Sequence, residues 1–364
     1  TLYYLLLQWP VTEEINNTAY AENNTINTIS DSDRLLSQPL EPLSTLSEPS
    51  EETPIEDKNY YEIKNDNLSL YVDSKTGRFE ISQLNTISKS KDSTEPFMVF
   101  GPTYDADSNR ENIYFANSGF YTRTQGYLTP KFSRISKEST TGEMTTYLLE
   151  GSANGLSFKR KIEMPNEGYK IEVEDIVESS LDEQISITPY VVIERDGSVV
   201  AEGGLMYTYL GPVFSSTKDT YEKYDFDDIR EAAYQNKSVG GWVALIQHYF
   251  LSAWIPDQND EYLYQGRYGN NSGRYSLGYT SKDFLVSYGE SASTKNTLYV
   301  GPKLPKQLSE IEENLDLTVD YGFLWWLGKP MYWLLDLGHS IFNNWGLAII
   351  FLTVVLKIAT WPLS

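Results

Sequence analysis

Residues 346–363 read GLAIIFLTVVLKIATWPL, eighteen residues with a single charge. A run this long and apolar is a transmembrane-helix candidate, at the short end of what a bilayer core of ~30 Å requires at ~1.5 Å per residue. Trp345 and Trp361 lie near its ends, where indole rings favour the membrane–water boundary. The pattern is still running at Ser364, so residues 344–364 are expected to be a membrane helix cut short. At the other end Leu2 to Trp9 (LYYLLLQW) are almost wholly apolar. Residues 1–9 are read as the tail of an earlier transmembrane helix; the rival is a signal-peptide core, for which Trp9-Pro10 is a poor cleavage site.

Residues 323–342, FLWWLGKPMYWLLDLGHSIF, precede the apolar run. At 100° per residue Lys329, Asp336, His339, Ser340 and Asn343 fall on one stripe, and the remainder is mostly aromatic and aliphatic. Pro330 suits the first turn of a helix. This predicts an amphipathic helix over 320–343 that lies in the membrane interface, with Trp325, Trp326, Trp333 and Trp345 at the boundary; the alternative is a helix packed on a soluble domain. Within the apolar run Thr353, Lys357, Thr360 and Ser364 follow at i, i+4, i+7 and i+11, with Gly346 on the same face. A lysine at mid-bilayer costs about 2.5–3.5 kcal/mol on insertion scales, so it either faces a partner or wet cavity or snorkels to the headgroups. The polar neighbours favour the cavity.

Residues 10–58 hold eleven acidic side chains, two basic ones, five prolines and one aromatic, Tyr20. Such a segment cannot bury enough apolar surface to offset its ordering entropy, and it reads as a disordered acidic linker. From residue 59 the texture changes. Leu68, Leu70 and Val72 alternate with polar residues. Leu156, Phe158, Ile162 and Met164 do the same with one slot taken by Arg160, and Ile171/Val173 and Ile185/Ile187 repeat the theme. Turn signals such as Lys75-Thr76-Gly77, Asn154-Gly155 and Asn166-Glu167-Gly168 separate them. Period-2 alternation with this punctuation, sustained over about 240 residues, predicts a mainly β sandwich or barrel over 59–319, closed by a short helix in LPKQLSEIEENL (304–315).

The formal net charge of -22 argues against a nucleic-acid partner and against electrostatic docking on anionic headgroups. There are no cysteines, which removes disulfide scaffolds, thiol nucleophiles and thiolate metal sites. His248 and His339 stand far apart without partners at metal-ligand spacing. The cluster Asp219, Glu222, Asp225, Asp227, Asp228 lacks the spacing and central glycine of a calcium loop and reads as a solvated acidic face. GGWVAL (240–245) does not open a helix behind a strand, so it is no phosphate cradle. No catalytic constellation, metal site or cofactor site is read from the soluble part.

YEKYDFDDI (221–229), GGWVALIQHYFLSAWIP (240–256), NTLYVGP (296–302), LDLTVDYGFLWWLGKP (315–330) and NWGLAIIFLTVVLKIATWPLS (344–364) resemble, in order, the YidC family of bacterial membrane protein insertases, within the wider Oxa/Alb superfamily. Upstream of about residue 205 the likeness is one of layout. The resemblance implies that 59–319 form the large periplasmic domain of Gram-negative members, a β-super-sandwich akin to galactose mutarotases. It implies an interfacial helix next, and then the second transmembrane helix of a five-helix hydrophilic groove. Lys357 matches the position of the family's groove arginine, a departure that keeps the charge but loses the planar fork; Thr353 and Thr360 would share that groove. The implied function is non-enzymatic insertion and folding of nascent inner-membrane proteins, alone or with Sec translocon components, in the bacterial inner membrane, with residues 10–343 in the periplasm and no cofactor. A membrane-anchored carbohydrate-binding or carbohydrate-active β-sandwich is the alternative, and a periplasmic scaffold for a translocon partner is a third reading of the soluble part.

Overall fold

The computed structural model describes residues 60–101, 103–105, 110–141, 143–196, 209–319 and 325–361. The expected membrane tail at 1–9, the linker at 10–58 and Ser364 lie outside them. Two large antiparallel sheets dominate. The first runs Tyr60–Lys64, Leu68–Asp73, Phe79–Ser88, Tyr114–Thr122, Ile185–Asp196, Arg274–Thr280, Glu261–Gly269, Tyr234–Val239 along its main path. The second runs Glu222–Lys223, Gly211–Ser215, Trp242–Ile246, Phe250–Ile255, Ser291–Pro302, Lys170–Ser179, Leu156–Pro165, Met144–Ala153, Lys131–Thr141. Helix α1 (Phe226–Glu231) sits beside the first sheet, α2 (Pro305–Ile311) and a 3-10 turn (Leu315–Thr318) follow the last strand, and α3 (Trp325–Phe342) and α4 (Trp345–Thr360) end the chain.

The alternation read from the sequence is the pleat of these sheets. Leu68, Leu70 and Val72 point into the core, as do Leu156, Phe158, Ile162 and Met164, and Ile171, Val173 and Val177 across from them. Two hairpin strands meet at Asn154 and Gly155, both at positive φ (52° and 78°). That is the backbone a two-residue turn needs to match strand twist, and Asn-Gly supplies it at little steric cost.

The sheets pack face to face and exchange polar contacts as well as apolar ones. Trp254 of the second sheet donates its indole N–H to the Val192 carbonyl of the first at 3.1 Å, and its ring lies 6.3 Å from Phe79. Tyr279 of the first sheet donates to Asn296 Oδ1 of the second at 2.9 Å. Tyr114 hydrogen-bonds Ser252 across the gap, and burial, outweighing Ser252 and Arg195, pushes its phenol up to about 12.

Arg160 takes the inward slot that the sequence left as an oddity. It is 2% exposed and stands opposite Asp175, 4% exposed, on the neighbouring strand. Its Nε donates to Asp175 Oδ1 at 2.6 Å, and one terminal nitrogen donates to the Ser118 carbonyl at 2.6 Å and to Ser118 Oγ at 3.0 Å. The other donates to the Gly77 carbonyl, while Ser118 Oγ donates to the second Asp175 oxygen. A buried ion pair is tolerable only with its remaining donors and acceptors satisfied, and this network, reaching across both sheets, meets that condition.

Trp242–Ile246 and Phe250–Ile255 are buried at every position. Val243 pairs with the inward Trp254, so Trp242 faces outward; there it donates to the Glu313 carbonyl at 3.3 Å. The helical end therefore covers the outer face of this sheet, with Leu308 and Leu315 fully buried.

Candidate functional site

The end of the domain that carries α2 also carries the α3–α4 hairpin. Asp336 on α3 accepts from Lys306 on α2 at 2.7 Å. The chain reverses between the helices at two asparagines. Asn343 takes positive φ (49°), and the Asn344 side chain accepts from the Gly346 and Leu347 N–H groups, an N-cap for α4. His339 stacks on Trp345 with centroids 4.0 Å apart. Gly338 allows close approach: a Cβ there would lie 2.9 Å from Phe351 Cδ1 and 3.2 Å from Ala348 Cα.

These contacts use part of the stripe that the sequence assigned to water. Asp336 serves α2, His339 serves Trp345, and Ser340 Oγ donates to its own helix at Leu337 O. The Lys329, Trp325 and Trp326 side chains lie outside the described residues. Trp333 is 62% exposed and Trp345 51%, and Ile341, Ile349, Ile350, Val354, Ile358 and Trp361 are exposed as well. So many large apolar side chains facing outward mark a surface built for an apolar partner rather than for water.

Thr353, Lys357 and Thr360 are all exposed. The two threonine hydroxyls donate to carbonyls one turn back, Ile349 O and Leu356 O, each at 2.8 Å, which satisfies their protons within the helix. Ala348 and Phe351 mark the seam with α3; at 100° per residue the Thr353–Lys357–Thr360 line lies on roughly the opposite side of α4. The line is thus presented away from α3. Among the described residues no helix is long and apolar enough to cross a membrane; the sixteen residues of α4 extend about 24 Å at 1.5 Å per residue.

The acidic cluster resolves into local structure. The Asp228 carboxylate accepts from the Asp225 N–H at 3.0 Å at the start of α1, and Asp227 pairs with Arg230 at 3.1 Å. Among the described residues no group of three or more His, Asp or Glu side chains is arranged to hold a metal ion. Sequence reasoning missed Asp175 as the partner of Arg160. The signal was present, since Ile171, Val173 and Val177 alternate with Asp175 in the one odd slot.

The fold and the hairpin together define a large two-sheet β-domain joined to an apolar, outward-facing helical pair. Residues 60–334 match the family model described as the YidC periplasmic domain, and the chain belongs to the YidC family. It is 32% identical over 333 residues to the membrane protein insertase YidC of Pseudomonas fluorescens, covering 87% of this chain and 58% of that protein. The Cellvibrio japonicus insertase is 33% identical over 315 residues, covering 83% and 55%. That of Actinobacillus succinogenes is 41% identical over 212 residues, covering 56% and 38%. The chain therefore spans little more than half the length of the first two relatives. Among solved structures, a GH36 alpha-galactosidase from Geobacillus stearothermophilus superposes with a TM-score of 0.48 at 9% identity, covering 70% of this chain and 42% of that one. A galactose mutarotase related enzyme from Lactobacillus acidophilus gives 0.42 at 9%, covering 66% and 97%. Neither likeness bears on chemistry.

Proposed function

We propose that this chain is the periplasmic-domain part of a membrane protein insertase, together with its interfacial helix and the start of its second transmembrane helix. The observation that carries this is the joining of a YidC-family β-domain to a hairpin whose outer surface is apolar and tryptophan-rich. On this reading α3 lies in the periplasmic interface of the bacterial inner membrane and α4 enters the bilayer, with residues 10–343 in the periplasm and residues 1–9 ending an earlier span. Substrates are nascent inner-membrane proteins, received alone or with Sec translocon components, and the lipid bilayer is the third partner.

The mechanism is non-covalent and uses no cofactor. Lys357, with Thr353 and Thr360 beside it, lines a wet groove completed by other helices. A charged, hydrated cavity part-way into the bilayer shortens the apolar barrier that a translocating polar tail must cross. The substrate's hydrophobic segment then passes into lipid, driven by apolar burial of ~25 cal/mol per Å². Lysine acts as a compact point charge, so it attracts an acidic tail without bidentate capture.

The test is complementation in cells depleted of their own insertase, reading growth and insertion of a small Sec-independent membrane protein. Full-length protein should rescue, Lys357→Arg should retain rescue, and Lys357→Ala should impair substrates with acidic periplasmic tails. Rescue indifferent to Lys357→Ala removes the groove role. Absence of rescue by protein correctly placed in the membrane overturns the insertase reading.

A further inference from the structure

The turn between Trp242–Ile246 and Phe250–Ile255 falls within one of the sequence motifs, QHYF, that the insertase reading leaves without a task. The Gln247 N–H donates to the Phe250 carbonyl at 2.9 Å, and Phe250 is anchored by stacking on Phe97 at 4.2 Å. Between these fixed points Tyr249 is 67% exposed, its ring against the edge of His248 at 4.1 Å. The adjoining segment is bonded to it: the Lys303 N–H donates to the Tyr249 carbonyl at 2.8 Å. Leu304 comes next, 38% exposed, and starts α2. Two residues on, Lys306 holds Asp336 of α3. Tyr249, Leu304 and α3 thus share one end of the sandwich.

We propose that the Tyr249–Leu304 tip is a second membrane contact, inserted into the phospholipid headgroup layer on the side where α3 lies; it rests on the reading of α3 as interfacial. A chain of net charge -22 gains nothing from anionic headgroups by Coulomb attraction, so a contact here is made by side chains that partition into the interface. Tyrosine, apolar in body and polar at its tip, is suited to that depth. A rigid, pinned turn loses little entropy on insertion, and the tip adjoins α2, whose Lys306 is bonded to Asp336 of α3. With α3 as one contact and the tip as another, the orientation of the β-domain over the bilayer is defined.

The opposite end supplies the control. Ser291–Pro302 has 12 residues, about 36 Å of strand at ~3.3 Å per residue, and Tyr288, 68% exposed, precedes its far end. The chain has no cysteine, so Tyr249→Cys, Trp333→Cys and Tyr288→Cys place one environment-sensitive fluorophore each in the full-length protein, cleared of any cysteine elsewhere. Each variant is reconstituted into vesicles of phosphatidylethanolamine and phosphatidylglycerol, with and without a headgroup-level nitroxide lipid. Probes at 249 and 333 should emit to the blue and be quenched by the nitroxide, while the probe at 288 stays aqueous. A probe at 249 that behaves like 288 while 333 is quenched overturns the tip contact and leaves the interfacial helix standing. Aqueous probes at both 249 and 333 overturn both.

Discussion

Replacing Asp175 with alanine should destabilise the β-domain more than any exposed substitution. It removes the partner of an arginine that is 2% exposed and lies between Phe79 and Phe132, each ring centroid 5.6 Å away. The guanidinium keeps its hydrogen bonds to Gly77 and Ser118 but loses the carboxylate that pairs with it. Stranding one member of a buried pair costs about 3–5 kcal/mol, a large share of the roughly 5–15 kcal/mol by which domains are stable. Removing both charges with Arg160→Met and Asp175→Ala should cost less than the sum of the two single changes. It relieves the stranded charge, although the Gly77 and Ser118 carbonyls each lose a donor at about 1–3 kcal/mol. The assay is urea denaturation followed by far-UV circular dichroism, with the midpoint shifts of the four cycle members compared at constant slope. A loss below about 1 kcal/mol for Asp175→Ala, or a double-variant loss equal to the sum of the singles, refutes the reasoning about buried charge.

Gly77→Ala should destabilise by about 1–3 kcal/mol in the same urea assay, because its φ is +73° and the new Cβ would stand 2.5 Å from Phe132 Cε2 and 3.2 Å from Arg160. Burial raises the carboxyl pKa of Glu312 above its usual value, outweighing a hydrogen bond from the Glu313 backbone that lowers it; the folded state therefore holds this proton more tightly than the unfolded one. The stability contributed by protonated Glu312 is fully present below its unfolded pKa and is lost as pH rises through the folded one, so Glu312→Gln should raise the melting temperature at pH 7 and give no gain below about pH 4. Gly338→Leu should part α3 from α4, measured as loss of a short bifunctional cross-link between cysteines placed at Phe342 and Phe351, whose rings lie 6.0 Å apart; an unchanged yield would show that the close approach at Gly338 does not hold the pair.

The strands with one wet face were legible in the sequence because burial alternates along them, as at Leu156–Pro165. Trp242–Ile246 and Phe250–Ile255 carried no such signal, since both faces are covered and every position is buried. Which strands lie side by side was illegible for another reason. Pairing such as Ile185–Asp196 with Arg274–Thr280 joins segments some eighty residues apart, and nothing local encodes that register. The charges at Arg160 and Asp175 each stood out in their own strand, but only the sheet order sets them face to face. At the hairpin, periodicity identified the polar stripe of α3; it did not show that Asp336 and His339 would be taken up by α2 and Trp345. The line of Thr353, Lys357 and Thr360 follows from spacing alone, because within one helix sequence separation fixes direction.

The corner between α3 and α4 is held at several points at once: the Asn343 backbone, the Asn344 cap, the His339–Trp345 stack and the close approach at Gly338. Such a corner acts as a crank. A rotation of about 10° delivered to α3 would swing the far end of α4, about 24 Å away at 1.5 Å per residue, by roughly 4 Å. Lys357, about three-quarters of the way along that arm, would sweep roughly 3 Å. A disturbance felt on one helix is thus delivered, enlarged, to the charge carried by the next.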